Sequence, residues 1–178
     1  MKNNKGFSLL ELIVVIAILA ILSAIVTGAV MNQAGWKVKK ASELLDTVIG
    51  ETKTEAMSKS RASLTIFKES SGDYYIQITG KEKEKLGDGN MTISYTVEGA
   101  AVETVIEPSS PLQFSFSRSS GAFTPIIDGK NPDGSWRYRT EGTGESAAMV
   151  YCNGIMIKSG SHSRKLGLVK DTGKYYTE

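Results

Sequence analysis

Leu12 to Val26 is apolar at every position except Ser23, and the 24 residues from Phe7 to Val30 carry a single charge, Glu11. As a helix this segment spans about 36 Å, enough to cross a bilayer core of roughly 30 Å. From Trp36 the pattern narrows to a stripe. Val38, Ala41, Leu45, Val48, Thr52, Ala56 and Lys59 recur at steps of three or four, Leu44 and Ile49 widen the stripe, and no Pro interrupts it before Arg61. This predicts an amphipathic helix with one face to bury. Its other face is solvated and carries Lys37, Lys39, Lys40, Glu43, Asp46, Glu51, Lys53 and Glu55. Joined to the apolar segment, it makes one helix from Phe7 to about Ser60, roughly 80 Å long. Gly28 and Gly35 are its weak points, at about 1 kcal/mol each relative to Ala.

From Ala62 the period becomes two. Leu64 and Ile66 alternate, then Tyr74, Ile76 and Ile78, then Met91 to Val97, then Leu112, Phe114 and Phe116. Trp136 and Tyr138, Met149 to Cys152, and Ile155 to Ile157 continue the series. Such alternation predicts half-buried antiparallel strands. Turns are expected at Ser70–Asp73, at Gly87–Asn90 and at Asn153-Gly154, the last because Asn-Gly between apolar runs is a strong hairpin signal. Asp128 to Trp136 reads as a turn-rich loop. The expected fold is therefore α+β, a long N-terminal helix packed on an antiparallel β-sheet head. Residues 31–61 form the amphipathic helix of the head, 62–158 its β-rich part, and 159–178 a loose polar tail.

At 178 residues the chain has room for one domain plus an anchor. Setting aside Lys2 and Lys5 in the first six residues, the 21 basic side chains fall to 19, against 19 acidic ones. Net charge therefore points to no particular partner. Cys152 is the single cysteine, which excludes an intramolecular disulfide and reads as a small buried apolar residue. His162 is the single histidine and lies in a Ser/Gly/Lys-rich stretch expected to be an exposed loop, so a histidine-rich metal site is excluded. Asp128, Lys130 and Pro132 occupy the first, third and fifth places of a would-be calcium loop, and the last two break the EF-hand pattern. Nothing calls for a cofactor, and no convergent set of polar groups points to an enzyme.

The chemistry lies at the N-terminus. Lys2 and Lys5 precede the apolar segment, so the positive-inside rule keeps that end cytoplasmic and delivers the rest outside. A carboxylate in a membrane-length apolar helix costs about 2.5–3.5 kcal/mol on insertion scales, so Glu11 needs another use. A cleaved secretory signal, with Thr27-Gly28-Ala29 as its small-residue site, is one reading, and a plain membrane anchor is another. Neither explains Gly6 directly before Phe7, nor a Glu four residues further on. The string Gly6-Phe7-Ser8-Leu9-Leu10-Glu11 before an apolar helix resembles the class III signal of type IV pilins and type II secretion pseudopilins.

That resemblance implies cleavage by a prepilin peptidase between Gly6 and Phe7, methylation of the new amino terminus at Phe7, and retention of the apolar helix. It also implies that Glu11 sets the register between stacked helices by pairing with a neighbour's Phe7 amine. A paired charge is tolerated in an apolar filament core where an unpaired one is not. The implied partners are other pilin subunits, the peptidase, membrane lipid before assembly, and an inner-membrane assembly platform with its ATPase. Three segments are similar to the minor pseudopilin H/FimT-like branch: Glu55–Arg61, Phe114-Ser115-Phe116 leading to Gly121, and Cys152–Ile155. Some members of that branch bind DNA through a basic C-terminal segment. Arg164 and Lys165, with Tyr175-Tyr176 for stacking, make a DNA-binding filament subunit the alternative. A secreted or plainly anchored protein without a filament role is the third reading.

Overall fold

The computed structural model describes residues 9–58, 62–100, 102–142, 144 and 147–178, without the side chains of 24–32. Helix α1 (Leu9–Ser58) is a single α-helix that passes through Gly28 and Gly35 without a break. Lys59, the last position of the expected stripe, and Arg61 lie outside the described residues.

Two antiparallel sheets flank the second half of α1. The first has the order β3-β2-β1-β6, formed by β1 (Ser63–Lys68), β2 (Tyr74–Ile78), β3 (Glu84–Gly87) and β6 (Leu112–Ser115). The second has the order β13-β12-β11-β4-β5. Its strands are β4 (Thr92–Val97), β5 (Thr104–Val105), β11 (Cys152–Ser159), β12 (His162–Val169) and β13 (Lys174–Thr177). Two small pairs complete the head: β7 (Ile127–Lys130) with β8 (Trp136–Tyr138), and β9 (Thr140–Glu141) with β10 (Ala148–Met149).

The helix stripe and the inward positions of both sheets form one core. Val38, Ala41, Leu45, Val48, Ile49 and Ala56 pack in the same cluster as Leu64, Ile66, Ile76 and Phe114 of the first sheet. Ile93, Tyr95, Ile155, Ile157, Leu166 and Leu168 join it from the second. Register follows the period of two: Leu64 lies between Ile78 and Phe114, and Ile66 between Ile76 and Leu112. Thr52 is buried in the helix stripe, where its hydroxyl donates to the Val48 carbonyl at 2.7 Å.

Three expectations are corrected. Asn153-Gly154 is not a hairpin turn; it lies within β11, where the pairing with β4 shifts register between Cys152 and Gly154. A Cβ on Gly154 would come within 3.1 Å of Thr96 Oγ1, so this glycine marks a bulge with close strand approach. The hairpin turn falls at Gly160-Ser161, between the paired Ser159 and His162, with Gly160 at φ +57°. The second correction concerns 159–178, which is not a loose tail. It supplies β12 and β13, and the backbones of Lys165 and Glu178 exchange hydrogen bonds. Its strand signal is muted because Gly167 holds an outward position opposite Tyr176, whose ring fills the space a side chain would take. Third, the loop expected at Asp128–Trp136 is a short hairpin, with Asp133 accepting hydrogen bonds from the Ser135 amide and hydroxyl.

Candidate functional site

The first half of α1 and its junction with the head carry the features that packing alone does not explain. Leu, Ile, Val and Ala fill the helix from Leu9 onward, and every described side chain from Leu9 to Ser23 is exposed. Leu9 is 76% exposed and Leu19 56%, against 0% for Leu45 further along the same helix. Glu11 sits in the first turn, where a carboxylate is favoured by the helix dipole. Gly6 and Phe7 lie outside the described residues. Among the described residues no helix is long and apolar enough to cross a membrane. The expectation that 7–30 spans a bilayer draws on residues outside that set.

At the junction the head closes around α1. A Cβ on Gly35 would stand 3.2 Å from His162 Nδ1, so the start of β12 rests against a helix position that has no side chain. Gly35 is thus a contact point as well as a weak point. Lys37 Nζ donates to Asp88 Oδ2 at 2.8 Å, tying the helix to the turn after β3 and holding the Asp88 carboxyl below its usual range. Trp36 is 62% exposed, with the Lys40 ammonium 5.4 Å from its ring centroid. Higher up, Lys53 Nζ donates to the carbonyls of Thr172 (3.3 Å) and Gly173 (2.9 Å), and a Cβ on Gly50 would meet the Tyr175 hydroxyl at 2.9 Å. The β12–β13 hairpin is thus seated along the helix from Gly35 to Lys53. No sequence pattern marked these contacts, because they join residues more than a hundred positions apart.

The DNA-contact pair is not brought together. Arg164 and Lys165 are consecutive in β12, so their side chains leave opposite faces of the sheet. Arg164 lines a groove with Gly35, Trp36, Val38 and Lys39, whereas Lys165 lines one with Thr96, Glu103 and Tyr176 on the outer face. The cluster is also largely neutralised, since Lys158 pairs with Glu103, Lys165 with Glu178 and Lys170 with Glu98. Tyr175 faces the helix and Tyr176 covers Gly167, so they form no common stacking platform.

His162 is exposed as expected, but it opens a strand instead of lying in a loop. Cys152 is buried, and burial pushes its thiol up to about 12. Asp128 accepts from Arg139 Nε at 2.9 Å and Nη2 at 2.7 Å, and Arg139 also donates to the Tyr95 hydroxyl at 2.7 Å. Asp128 therefore holds the β7–β8 hairpin to the core. Among the described residues no group of three or more His, Cys, Asp or Glu side chains stands close enough to hold a metal ion.

Comparison with known families matches residues 1–27 to the prokaryotic N-terminal methylation motif. The chain carries a class III pilin-type signal. No curated protein and no solved structure matches the chain. The α+β architecture, one N-terminal helix with a larger antiparallel head, is consistent with a pilin-like fold. The methylation motif supports a prepilin-like substrate and points to a structural subunit rather than an enzyme.

Proposed function

We propose that the chain is a structural subunit, a minor pilin or pseudopilin, of a type IV pilus or type II secretion pseudopilus. The observation that carries this reading is the methylation motif at 1–27, which overlaps a helix whose apolar run Leu9–Ser23 is uncovered and whose other half is locked in a head. In this reading a prepilin peptidase cuts between Gly6 and Phe7 and the Phe7 amine is methylated. The segment 7–30 then anchors the subunit in the cytoplasmic membrane with its head outside. On assembly the same apolar surface exchanges lipid for neighbouring helices. Lipid tails are as apolar as Leu, so the exchange is nearly neutral and direction comes from a membrane platform and its ATPase. Glu11, paired with a neighbour's Phe7 amine, marks the register.

Intact-mass measurement of protein from the membrane fraction tests the processing step. The expected chain begins at Phe7 and is heavier by one methyl group. A chain beginning near Val30, or one retaining Met1 to Gly6, overturns the reading. For the register role, Glu11→Leu leaves membrane insertion unchanged and lowers incorporation into filaments about tenfold or more, because it strands a buried amine. Incorporation at the wild-type level would remove Glu11 from the mechanism.

A further inference from the structure

We infer that the base of the head, centred on Trp36, is a contact surface for anionic phospholipid headgroups. This rests on the membrane-anchored reading above and adds a partner to it. Charge along α1 is polarised. Between Gln33 and Lys40 there are three lysines (Lys37, Lys39 and Lys40) and no acid, whereas Ala41 to Ser58 holds Glu43, Asp46, Glu51 and Glu55 against Lys53 alone. The fold adds to the basic end. Seating His162 against Gly35 brings Arg164 into the groove lined by Trp36 and Lys39.

Lys37 is committed to Asp88, and Lys39 reaches Glu43 only at 3.7 Å with its side chain 57% exposed. Lys40 and Arg164 have no carboxylate partner among the described residues; Lys40 lies instead over the Trp36 ring. An exposed Trp ringed by cations is the composition that settles at a membrane–water interface, its ring at headgroup depth and its lysine stems along the apolar boundary.

The height agrees. Trp36 lies six residues beyond Val30, a rise of about 9 Å, against a headgroup layer of about 5–8 Å on each side of the core. Tilting fits the segment of about 36 Å to a core of roughly 30 Å, and the same tilt lowers Trp36 to about 7–8 Å beyond the core, within that layer. Acidic lipids complement the surplus positive charge there.

The test uses the full chain carrying Trp136→Phe, which leaves Trp36 as the single tryptophan, reconstituted into vesicles. Phosphatidylcholine vesicles contain equal fractions of phosphatidylglycerol, and one lipid or the other is brominated near the headgroup end of its acyl chains. The brominated anionic lipid is expected to quench Trp36 about threefold more strongly than the brominated zwitterionic one. Salt at about 0.5 M, which shortens the screening length to a few ångströms, removes the difference without any further substitution. Lys39→Glu/Lys40→Glu/Arg164→Glu removes it at low salt.

Equal quenching by the two lipids in protein that floats with the vesicles overturns the surface while leaving the anchor in place. The same holds for a Trp36 emission shift that follows protein concentration instead of lipid charge, which would assign the face to a second copy. Protein that fails to float overturns both readings.

Discussion

Leu9–Ser23 and Val38–Ala56 lie on one unbroken helix, yet the first run exposes every described side chain and the second buries a full stripe. The first is the more apolar of the two. Burial on this helix therefore follows partners, and hydrophobicity alone does not decide it. The head half faces two sheets of the same chain, so folding covers it. An apolar face that folding leaves uncovered calls for lipid or for other subunits. The two halves meet at Gly35–Lys40, where the head first closes on the helix and where charge and aromatic character concentrate.

The contrast is sharpened first by Cys152, a probe of the closed head. Its thiol, pushed up to about 12 by burial, is neutral and inaccessible at pH 8. Alkylation at that pH is expected to be slower than in denatured protein by about a thousandfold or more, since it waits on opening of the head. Rapid alkylation of the native protein would show that the head is not closed.

Next come matched truncations on the two halves of α1, followed by thermal or denaturant unfolding of the full chain in mild detergent. Leu45→Ala is expected to destabilise the head by about 2–5 kcal/mol through lost contacts and a residual cavity. Leu19→Ala, on the uncovered half, is expected to stay within about 0.5 kcal/mol. Equal losses at the two positions would break the comparison.

A smaller effect is expected from Lys53→Met, which removes the hydrogen bonds to the Thr172 and Gly173 carbonyls but keeps the stem of the side chain. The cost is about 1–2 kcal/mol, with faster amide exchange in the β12–β13 turn and unchanged exchange in β1 and β2.

The smallest effect belongs to Asp88. Its folded pKa is lowered, chiefly by the hydrogen bond from Lys37, so its contribution is present above the unfolded carboxylate pKa and lost as pH falls through the lower folded value. The pair is about one-third exposed, which limits the contribution to less than about 1 kcal/mol. Asp88→Asn is expected to flatten that part of the acid limb and leave stability at pH 9 lower by the same small amount.

Much of the fold is legible in residue order. The stripe from Val38 to Ala56 and the alternation in β1, β2, β4 and β6 each follow a period that their buried apolar positions obey. The C-terminal hairpin was not legible. Asn153-Gly154 carries a local turn signal, but Gly154 is spent on close approach to Thr96, and the chain reverses seven residues later at Ser161. Local chemistry cannot distinguish a glycine that turns the chain from one that admits a neighbouring strand. The site divided in the same way. Glu11 and the Gly6/Phe7 junction stand out as residues, whereas the Gly35–His162 and Lys53–Gly173 contacts exist only after β12 is laid along the helix.

The sequence by itself determined the pilin-type signal, the single apolar helix and the division into helix and antiparallel head, because each is written in a local period or a contiguous string. Tertiary structure decided which basic residues share a face. It separated Arg164 from Lys165, since neighbours on a strand point apart, and it brought Arg164 beside Trp36 and Lys39 at the base of the head. Proximity across more than a hundred residues is set by packing geometry, and no local pattern encodes it.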